Sequence, residues 1–238
     1  MRRSQLPCKA SISQFGWCSL FYLLLLMAFP NWLSAQENGP RRPTDVQTWT
    51  GIHASFWLHK DWNLDASVQS RQDGNGFRFR QVLLEGELGY EWGKKTEIST
   101  EYRWSGRLDE NRHRVAMGIS REVFDEGDWT LDARFKIQQE WSRFDPAELN
   151  GRWKAKVRYR INKRFRLFAD AEAWTLSYPY WQAVDQVRFS FGTGWDRKKH
   201  DIELAYRHGR VTGNRTPRTE HILALEYTFG DFKLRSRK

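Results

Sequence analysis

The chain has 238 residues, a formal charge of +10 at pH 7 and 13 tryptophans. Its length suggests one or two globular domains or a single barrel, and its mean hydropathy of -0.77 excludes a bundle of membrane-spanning helices. The same value is compatible with a membrane β-barrel, because only alternate residues of each barrel strand face lipid.

The N-terminal residues 1–36 have the features of a cleaved secretory signal. Three basic residues precede an apolar run over residues 20–29, and Ser34 and Ala35 offer small side chains for cleavage before Gln36. A membrane-anchoring helix is the alternative, but the apolar run is shorter than the roughly 20 residues that a spanning helix needs. We therefore predict that the protein is exported across the inner membrane.

The predicted signal contains both cysteines, Cys8 and Cys18. The mature chain then has no cysteine, which excludes disulfides and cysteine-based metal or nucleophile sites. Loss of the signal also lowers the formal charge from +10 to +7, because the segment holds three basic residues and no acid. A basic chain suggests nucleic-acid binding. Here the basic residues are spread over the strands, interleaved with acidic ones and not gathered into one patch, so we expect no nucleic-acid partner.

After the signal, the chain divides into three segments. Residues 37–44 form a proline-rich, charged leader without periodicity, residues 45–229 show repeated alternation, and residues 230–238 form a basic tail. The alternation is clearest at residues 152–161, where every even position is basic and every odd position is apolar or aromatic. Successive side chains of a strand point to opposite faces, so this pattern predicts a strand with one cationic and one apolar face.

Similar alternation predicts about eleven strands. In chain order they are Val46–Leu58, Trp62–Arg71, Phe79–Trp92, Glu97–Arg107, His113–Val123, Trp129–Trp141, Arg152–Ile161, Phe165–Leu176, Gln186–Trp195, Asp201–His208 and His221–Phe229. Short and long connections alternate between them. Outer-membrane barrels have short periplasmic turns and longer extracellular loops, so the short connections are predicted to be periplasmic.

Aromatic residues lie beside most of the short connections and are predicted to form a girdle at the membrane interface. They are Trp62, Trp92, Trp129, Phe165, Trp195, Tyr227 and Phe229. A soluble antiparallel sandwich would also show alternation, but it has no reason to place aromatic residues at a constant depth. The predicted fold is therefore an all-β, antiparallel up-and-down transmembrane barrel of about 10–12 strands. Bacterial single-chain barrels have even strand numbers, so we expect ten or twelve.

The polar faces of the strands are predicted to line the lumen. The candidate lining residues are Arg152, Lys154, Lys156, Arg158, Arg160, Asp170, Glu172, Glu85, Glu87 and Glu101. If Ile161 pairs with Phe165 across the turn, Lys156 lies opposite Asp170 and Lys154 lies opposite Glu172, and such opposite charges support the pairing. Long charged side chains could fill a narrow lumen with ion pairs, or could leave a selective pore with a cationic stripe.

A catalytic alternative rests on His53, Ser55 and Asp65. If Leu58 pairs with Trp62, Asp65 lies opposite Ser55, and His53 shares their face, which assembles the side-chain types of nucleophilic catalysis. The pattern is short, so the hydrogen-bonded polar face of a strand is the competing interpretation. His208 and His221 are predicted on the lipid side, where interfacial packing explains them better than metal binding.

Scattered positions of the barrel segment resemble a known family. They are Asp45-x-x-x-Trp49, Trp62-x-Leu64, Gln69-x-Arg71, Tyr102-Arg103, His113-Arg114, Arg158-Tyr-Arg160, Glu172, Asp185-Gln186-x-Arg188, Gly194 and Tyr206. The chain resembles, from Asp45 to Phe229, the uncharacterised outer-membrane barrel family of Bacteroidota known as domain of unknown function 2490. The resemblance implies a secreted outer-membrane barrel and supplies no activity, substrate or site residues.

The expected function is that of an outer-membrane barrel with a salt-bridged lumen, either structural or solute-binding and by default not an enzyme. A small selective pore and an outer-membrane lipid hydrolase are the alternatives. The expected partners are membrane lipid, lipopolysaccharide and the outer-membrane assembly machinery, which would recognise an aromatic ending such as Tyr227-x-Phe229. We expect a monomer with no cofactor and no metal.

Overall fold

The computed structural model describes residues 44–73, 78–107, 110–144, 147–176, 184–212 and 217–233. The predicted signal, the leader up to residue 43, the loop of residues 177–183 and the end of the basic tail lie outside these ranges. Among the described residues there is no helix long and apolar enough to cross a membrane.

The described residues form eleven strands, and all eleven predicted strands are present. They are β1 (Thr44–His59), β2 (Trp62–Asp73), β3 (Arg78–Trp92), β4 (Thr96–Arg107), β5 (Asn111–Glu126), β6 (Trp129–Ser142), β7 (Glu148–Arg160), β8 (Phe165–Leu176), β9 (Val184–Arg197), β10 (His200–Val211) and β11 (Arg218–Lys233). β11 continues to Lys233, beyond the predicted end at Phe229, because its last residues still pair with β1.

The strands close into a barrel in which each strand pairs with its neighbours in the chain. Consecutive strands are antiparallel, whereas β1 and β11 pair in parallel, from Thr44 opposite Thr219 to Trp57 opposite Lys233. The expectation of ten or twelve strands is therefore wrong for the described residues. With eleven strands the first and last run in the same direction, so closure requires a parallel pair.

The connections separate the two ends of the barrel, although less sharply than predicted. At the short-turn rim, two to four residues link successive strands; at the opposite, long-loop rim, three to seven residues do so. The predicted strict alternation in length fails between β3 and β5, because the backbone of Arg107 bonds Glu110 and shortens that loop. Gly93 and Gly127 have φ values of 76° and 64° in the short turns, a conformation that glycine adopts without steric cost.

The barrel wall is apolar outside and polar inside, as strand alternation requires. Large apolar side chains such as Met117, Phe191 and Trp153 are exposed on the outward face. Most of the buried side chains are polar or charged and face the lumen. A small apolar cluster lies under one part of the wall and comprises Trp49, Phe168, Ala205, Ile222 and Ala224.

The parallel closure predicts a specific disulfide. Thr50 of β1 lies opposite Leu225 of β11, and both side chains face outward. Neighbouring strands are about 4.8 Å apart, which is within the Cα separation that a disulfide tolerates. We expect the variant Thr50→Cys/Leu225→Cys to form an intramolecular disulfide upon mild oxidation, seen as a shift in non-reducing gel mobility.

The matched control is Thr50→Cys/Thr219→Cys. Thr219 lies six positions before Leu225 on the same strand, roughly 20 Å away at the rise of a β-strand, and should not form the bond. No native cysteine interferes within the barrel, since both cysteines lie before Thr44. A disulfide in the control and none in the Thr50/Leu225 variant would contradict the parallel register.

Candidate functional site

The lumen contains most of the charged residues predicted to line it. Glu85, Glu87, Glu101, Asp170 and Glu172 are buried or half-buried on the inward face. The basic positions of β7 from Arg152 to Arg158 share that face. Arg160 differs, because it lies exposed at the short-turn rim.

A network of ion pairs crosses the middle of the lumen, and we call it the central charge layer. It consists of three carboxylates and four cations, namely Glu85, Glu87, Glu101, Arg103, Arg114, Arg134 and Lys136. The members come from β3, β4, β5 and β6. Alternate residues of each strand face the lumen. The register of these four adjacent strands places the seven side chains at a similar level along the barrel axis.

Glu101 is the centre of this layer. Its carboxylate accepts hydrogen bonds from both Arg114 and Lys136. The Lys136 Nζ also donates to Glu87 Oε2 at 3.1 Å, and Arg114 Nη2 donates to Glu85 Oε2 at 3.3 Å. The side chains of Glu101, Lys136 and Arg114 are only 2%, 6% and 7% exposed. The charges are therefore matched inside the wall and largely hidden from water.

The three glutamates of this layer lie close enough together to resemble a metal site. Glu85, Glu87 and Glu101 each place a carboxylate oxygen within 4.8 Å of the others, a spacing that a cation could bridge. Each carboxylate already contacts an arginine or lysine of the wall. The cationic side chains thus occupy the positions that a metal ion would need, and the cluster is an ion-pair network.

A second group of ion pairs extends the network along β7 and β8. The register places Lys154 opposite Glu172 and Lys156 opposite Asp170, as the sequence predicts. Arg152 donates to Glu172 Oε1 at 2.6 Å, and Lys154 Nζ lies 3.5 Å from both Glu172 and Asp170. Between the central charge layer and this group lies a small cavity of about 110 Å³.

Lys156 bonds a residue that the strand register does not predict. Its ammonium lies 3.2 Å from Glu203 of β10 and 4.4 Å from the centre of the Phe168 ring. Glu203 is also bonded by Arg166, which contacts Asp196 and Asp201 as well. The pairs of Lys156 and Arg166 with Glu203, and of Arg166 with Asp201, join strands that are not neighbours in the barrel, so they connect separate parts of the wall near the short-turn rim.

The catalytic candidates do not form a triad in the structure. Ser55 lies opposite Asp65 and donates a hydrogen bond to it, as the register argument predicts. His53 lies opposite Ser67, and its Nε2 is 3.9 Å from Glu226 without a hydrogen-bond partner among the described residues. The imidazole thus lies beside Glu226 and makes no hydrogen bond to Ser55 among the described residues, so the histidine of a serine triad is not in place.

The predicted girdle residues lie beside the short turns on the outward face. Trp62, Trp92, Trp129 and Phe165 are exposed there, and two of them stack on neighbouring tyrosines, with ring centroids 5.0 Å apart for Trp62–Tyr90 and 4.6 Å apart for Trp129–Tyr159. Trp195 and Tyr227 flank Ile202 of β10 on the same face, and Phe229 follows two positions after Tyr227. The rings therefore form an outward band at one end of the barrel.

His208 and His221 also lie on this outward face, near the long-loop rim. Their ring centroids are 5.0 Å apart, and the hydroxyl of Tyr206 lies 2.5 Å from His221 Nδ1. Each imidazole therefore packs against an aromatic ring. This arrangement agrees with interfacial packing of the two histidines.

Sequence reasoning missed an aromatic and arginine cluster inside the long-loop end. Trp49 lies in the lumen with the guanidinium groups of Arg71, Arg188 and Arg207 at 3.7, 5.0 and 5.1 Å from its ring centroid. Trp174 also faces inward, 4.8 Å from Arg188. The available signal is strand parity, since Trp49 lies an even number of positions from the polar residues Gln47, His53 and Ser55.

Comparison with known proteins places the chain in a sequence family and a fold. The family described as "Protein of unknown function (DUF2490)" matches residues 46–220. No curated protein matches the chain.

The solved structures to which this chain is similar include three outer-membrane proteins. The NanC porin is 12% identical, with 74% of this chain and 93% of the porin aligned at a TM-score of 0.50. The KdgM porin is 11% identical, with 66% and 81% aligned at a TM-score of 0.45. The outer-membrane-expressed OmpT of Vibrio cholerae is 11% identical, with 64% and 55% aligned at a TM-score of 0.37.

The identities are too low to transfer an activity, so the likeness to the NanC porin establishes the fold alone. The family match covers most of the described barrel, from the beginning of β1 to the beginning of β11. The chain belongs to the DUF2490 family of proteins of unknown function.

Proposed function

We propose that this protein is an integral outer-membrane barrel that is closed at mid-height by its own ion pairs. It acts as a structural or solute-binding barrel, not as an open diffusion pore. The observation that carries the proposal is the central charge layer, in which the side chains of Glu101, Arg114 and Lys136 face the lumen and are at most 7% exposed. A Gram-negative host, and the Bacteroidota that the family resemblance implies, belong to the same proposal.

The outward surface supports the membrane location. Exposed leucine, isoleucine, valine and phenylalanine side chains cover the strands between the two rims, a surface that water would solvate poorly. The aromatic band beside the short turns suits the membrane–water interface. The N-terminal segment has the features of a secretory signal, which agrees with export before insertion.

The orientation follows from the rims. Short turns are periplasmic and long loops extracellular in outer-membrane barrels, so the short-turn rim containing Lys60, Lys94, Lys163 and Lys198 faces the periplasm. Strands β1 and β11 are parallel, so both begin at the long-loop rim, β1 at Thr44 and β11 at Arg218. In this orientation the N-terminal end of β1 lies at the outer surface.

The ion pairs explain why the closed lumen is stable. Burying an isolated charge is costly, and removing one partner of a buried pair typically destabilises a protein by about 3–5 kcal/mol. In the central charge layer each carboxylate contacts at least two cations, so desolvation is offset within the network. Opening the lumen would separate these pairs, and the closed arrangement is therefore favoured.

The pore alternative requires basic side chains of β7 that face the lumen without counter-ions, whereas Lys154, Lys156 and Arg158 are paired with carboxylates. Lys154 pairs with Asp170 and Glu172, Lys156 with Glu203, and Arg158 with Asp132 at 2.6 Å. A wider cavity of about 520 Å³ does open at the short-turn rim beside these residues. Of the central charge layer only Arg134 lines this cavity, which agrees with an entrance that the layer closes at its inner end.

The hydrolase alternative is the least supported. The Ser55–Asp65 hydrogen bond has no histidine beside it, and His53 faces Glu226 instead. In a Ser-His-Asp triad the histidine lies between the serine and the carboxylate, and the described residues do not place His53 there.

Conductance tests the closed lumen. Wild-type barrel reconstituted in a planar bilayer is expected to show little or no single-channel current. The variant Glu87→Ala/Glu101→Ala/Arg114→Ala/Lys136→Ala removes two carboxylates and two cations, so it truncates four of the seven side chains of the layer without changing the net charge. We expect this variant to conduct severalfold more current than the wild type.

The control is Lys95→Ala/Glu122→Ala, which removes an ion pair of 3.0 Å between partly exposed side chains near the short-turn rim. This charge-balanced change should leave the current at the wild-type level. Heat-modifiable gel mobility checks that every variant is folded. A wild-type barrel that already conducts like an open porin, with no further increase in the fourfold variant, would refute the proposal.

Cysteine labelling tests the orientation. Phe144→Cys and Thr44→Cys place a thiol at the long-loop rim, and Lys94→Cys places one at the short-turn rim. In intact cells, a membrane-impermeant polyethylene glycol maleimide is expected to label the first two variants. It should label Lys94→Cys only after the outer membrane is permeabilised. The reverse pattern would show that the barrel is inserted the other way.

A further inference from the structure

A polar cavity of about 170 Å³ lies inside the long-loop end of the lumen, above the central charge layer. We call it the outer arginine cavity. Seven arginines line it, against the carboxylates of Glu140, Asp185 and Glu220, so its lining carries a formal excess of four positive charges. This imbalance contrasts with the paired charges deeper in the lumen.

Five of the seven arginines are held by carboxylates. Arg80 contacts Asp45 at 2.8 Å and Arg218 contacts Glu220 at 2.8 Å, near the rim. Arg152 contacts Glu172, and Arg103 and Arg114 belong to the central charge layer, so these three form the floor of the cavity. Arg71 has no carboxylate partner among the described residues, and Arg188 has only two longer ion pairs, so these two are the cations that could bind an external group.

Arg71 lacks a counter-ion within the wall. In the part of the chain that the structure describes, no carboxylate oxygen lies within 4 Å of its guanidinium, and its side chain donates only to Gln69 Oε1, at 2.8 Å. The group stacks over Trp49 at 3.7 Å from the ring centroid. The indole face therefore fixes the guanidinium plane and leaves most of its five donors available.

Arg188 is buried, and its hydrogen-bonding capacity is not satisfied. The residue is 9% exposed, and its Nε has no hydrogen-bond partner among the described residues. Its Nη1 and Nη2 atoms lie 3.7 Å from Glu172 and 3.6 Å from Glu220, beyond hydrogen-bond distance. The guanidinium is held near Trp49 and Trp174 at 5.0 and 4.8 Å from their ring centroids. A buried donor without an acceptor is destabilising, so this arrangement favours an acceptor supplied from outside.

We propose that the outer arginine cavity binds the carboxylate or phosphate group of a small anionic solute, with Arg71 and Arg188 as its principal contacts. A planar guanidinium matches both groups through paired N–H donors. The volume is below the roughly 300–1,000 Å³ of pockets for drug-sized ligands, so it fits the charged end of a solute. The inference rests on the proposed solute-binding barrel, since the central charge layer beneath the cavity would hold the anion and not pass it.

Calorimetric titration of the refolded barrel in neutral detergent tests the site. The probes are inorganic phosphate and citrate, each titrated at constant ionic strength set with sodium chloride. Saturable binding of at least one probe, with one site per barrel, is the expected result. Binding of phosphate alone or of citrate alone identifies which group the cavity recognises. Failure of both probes to bind would overturn the proposal.

The variant Arg71→Gln/Arg188→Gln is expected to weaken binding on the order of tenfold or more, because each lost contact is a charged hydrogen bond. The matched control is Arg158→Gln, which removes an arginine of the lumen close to the short-turn rim. It should change the affinity by less than about twofold, since charges beyond a Debye length are largely screened. Equal weakening by both variants would indicate a general charge effect and contradict the site.

If the double variant loses heat-modifiable mobility, Arg71→Lys serves in its place. It keeps the charge and removes the planar donor pair, so severalfold weaker binding is expected and unchanged binding counts against the site. Binding in micelles does not depend on whether the lumen conducts. High wild-type conductance would therefore contradict the closed lumen but not the anion site. Absence of phosphate and citrate binding would contradict the anion site but not the closed lumen.

Discussion

The pairing of Glu101 with Arg114 and Lys136 is the interaction on which the interior depends. Strand alternation forces one face of every strand inward, and in this chain that face is charged. A narrow lumen cannot fully hydrate so many charges, so each must find a partner on another strand. Glu101 of β4 accepts hydrogen bonds from Arg114 of β5 and Lys136 of β6. The surrounding ion pairs neutralise other charges of the lumen in the same way.

The two ends of the lumen differ in how their inward-facing charges are paired. Toward the short-turn rim, Arg166 and Lys156 share carboxylates from β9 and β10, and the charges are balanced by the wall. Toward the long-loop rim, Trp49 and Trp174 occupy inward positions that acids could have taken. Aromatic faces stabilise guanidinium groups without neutralising them, so Arg71 and Arg188 keep their positive charge beside Trp49 and Trp174.

Local pattern was sufficient to predict the strands, the inward faces and the Lys154–Glu172 register, because all three depend on neighbouring residues or one turn. It was insufficient for contacts between distant strands. Lys156 donates a hydrogen bond to Glu203 of β10. The parallel β1–β11 pair closes a barrel with an odd number of strands. Neither contact can be predicted from the residues next to it in the sequence. Trp49 was missed for another reason. Tryptophan suggested the membrane interface, although its parity with Gln47 indicated the lumen.

The most direct test of the central claim is a double-mutant cycle on Glu101→Gln and Lys136→Gln, measured as free energies of unfolding in lipid vesicles. Contacting residues of one network show interaction energies of about 0.5–3 kcal/mol. If the central charge layer holds the lumen closed, the two substitutions should be coupled by at least about 1 kcal/mol. If the two changes in the free energy of unfolding are additive, Glu101 and Lys136 have no interaction energy. That result would contradict the claim that their ion pair holds the lumen closed.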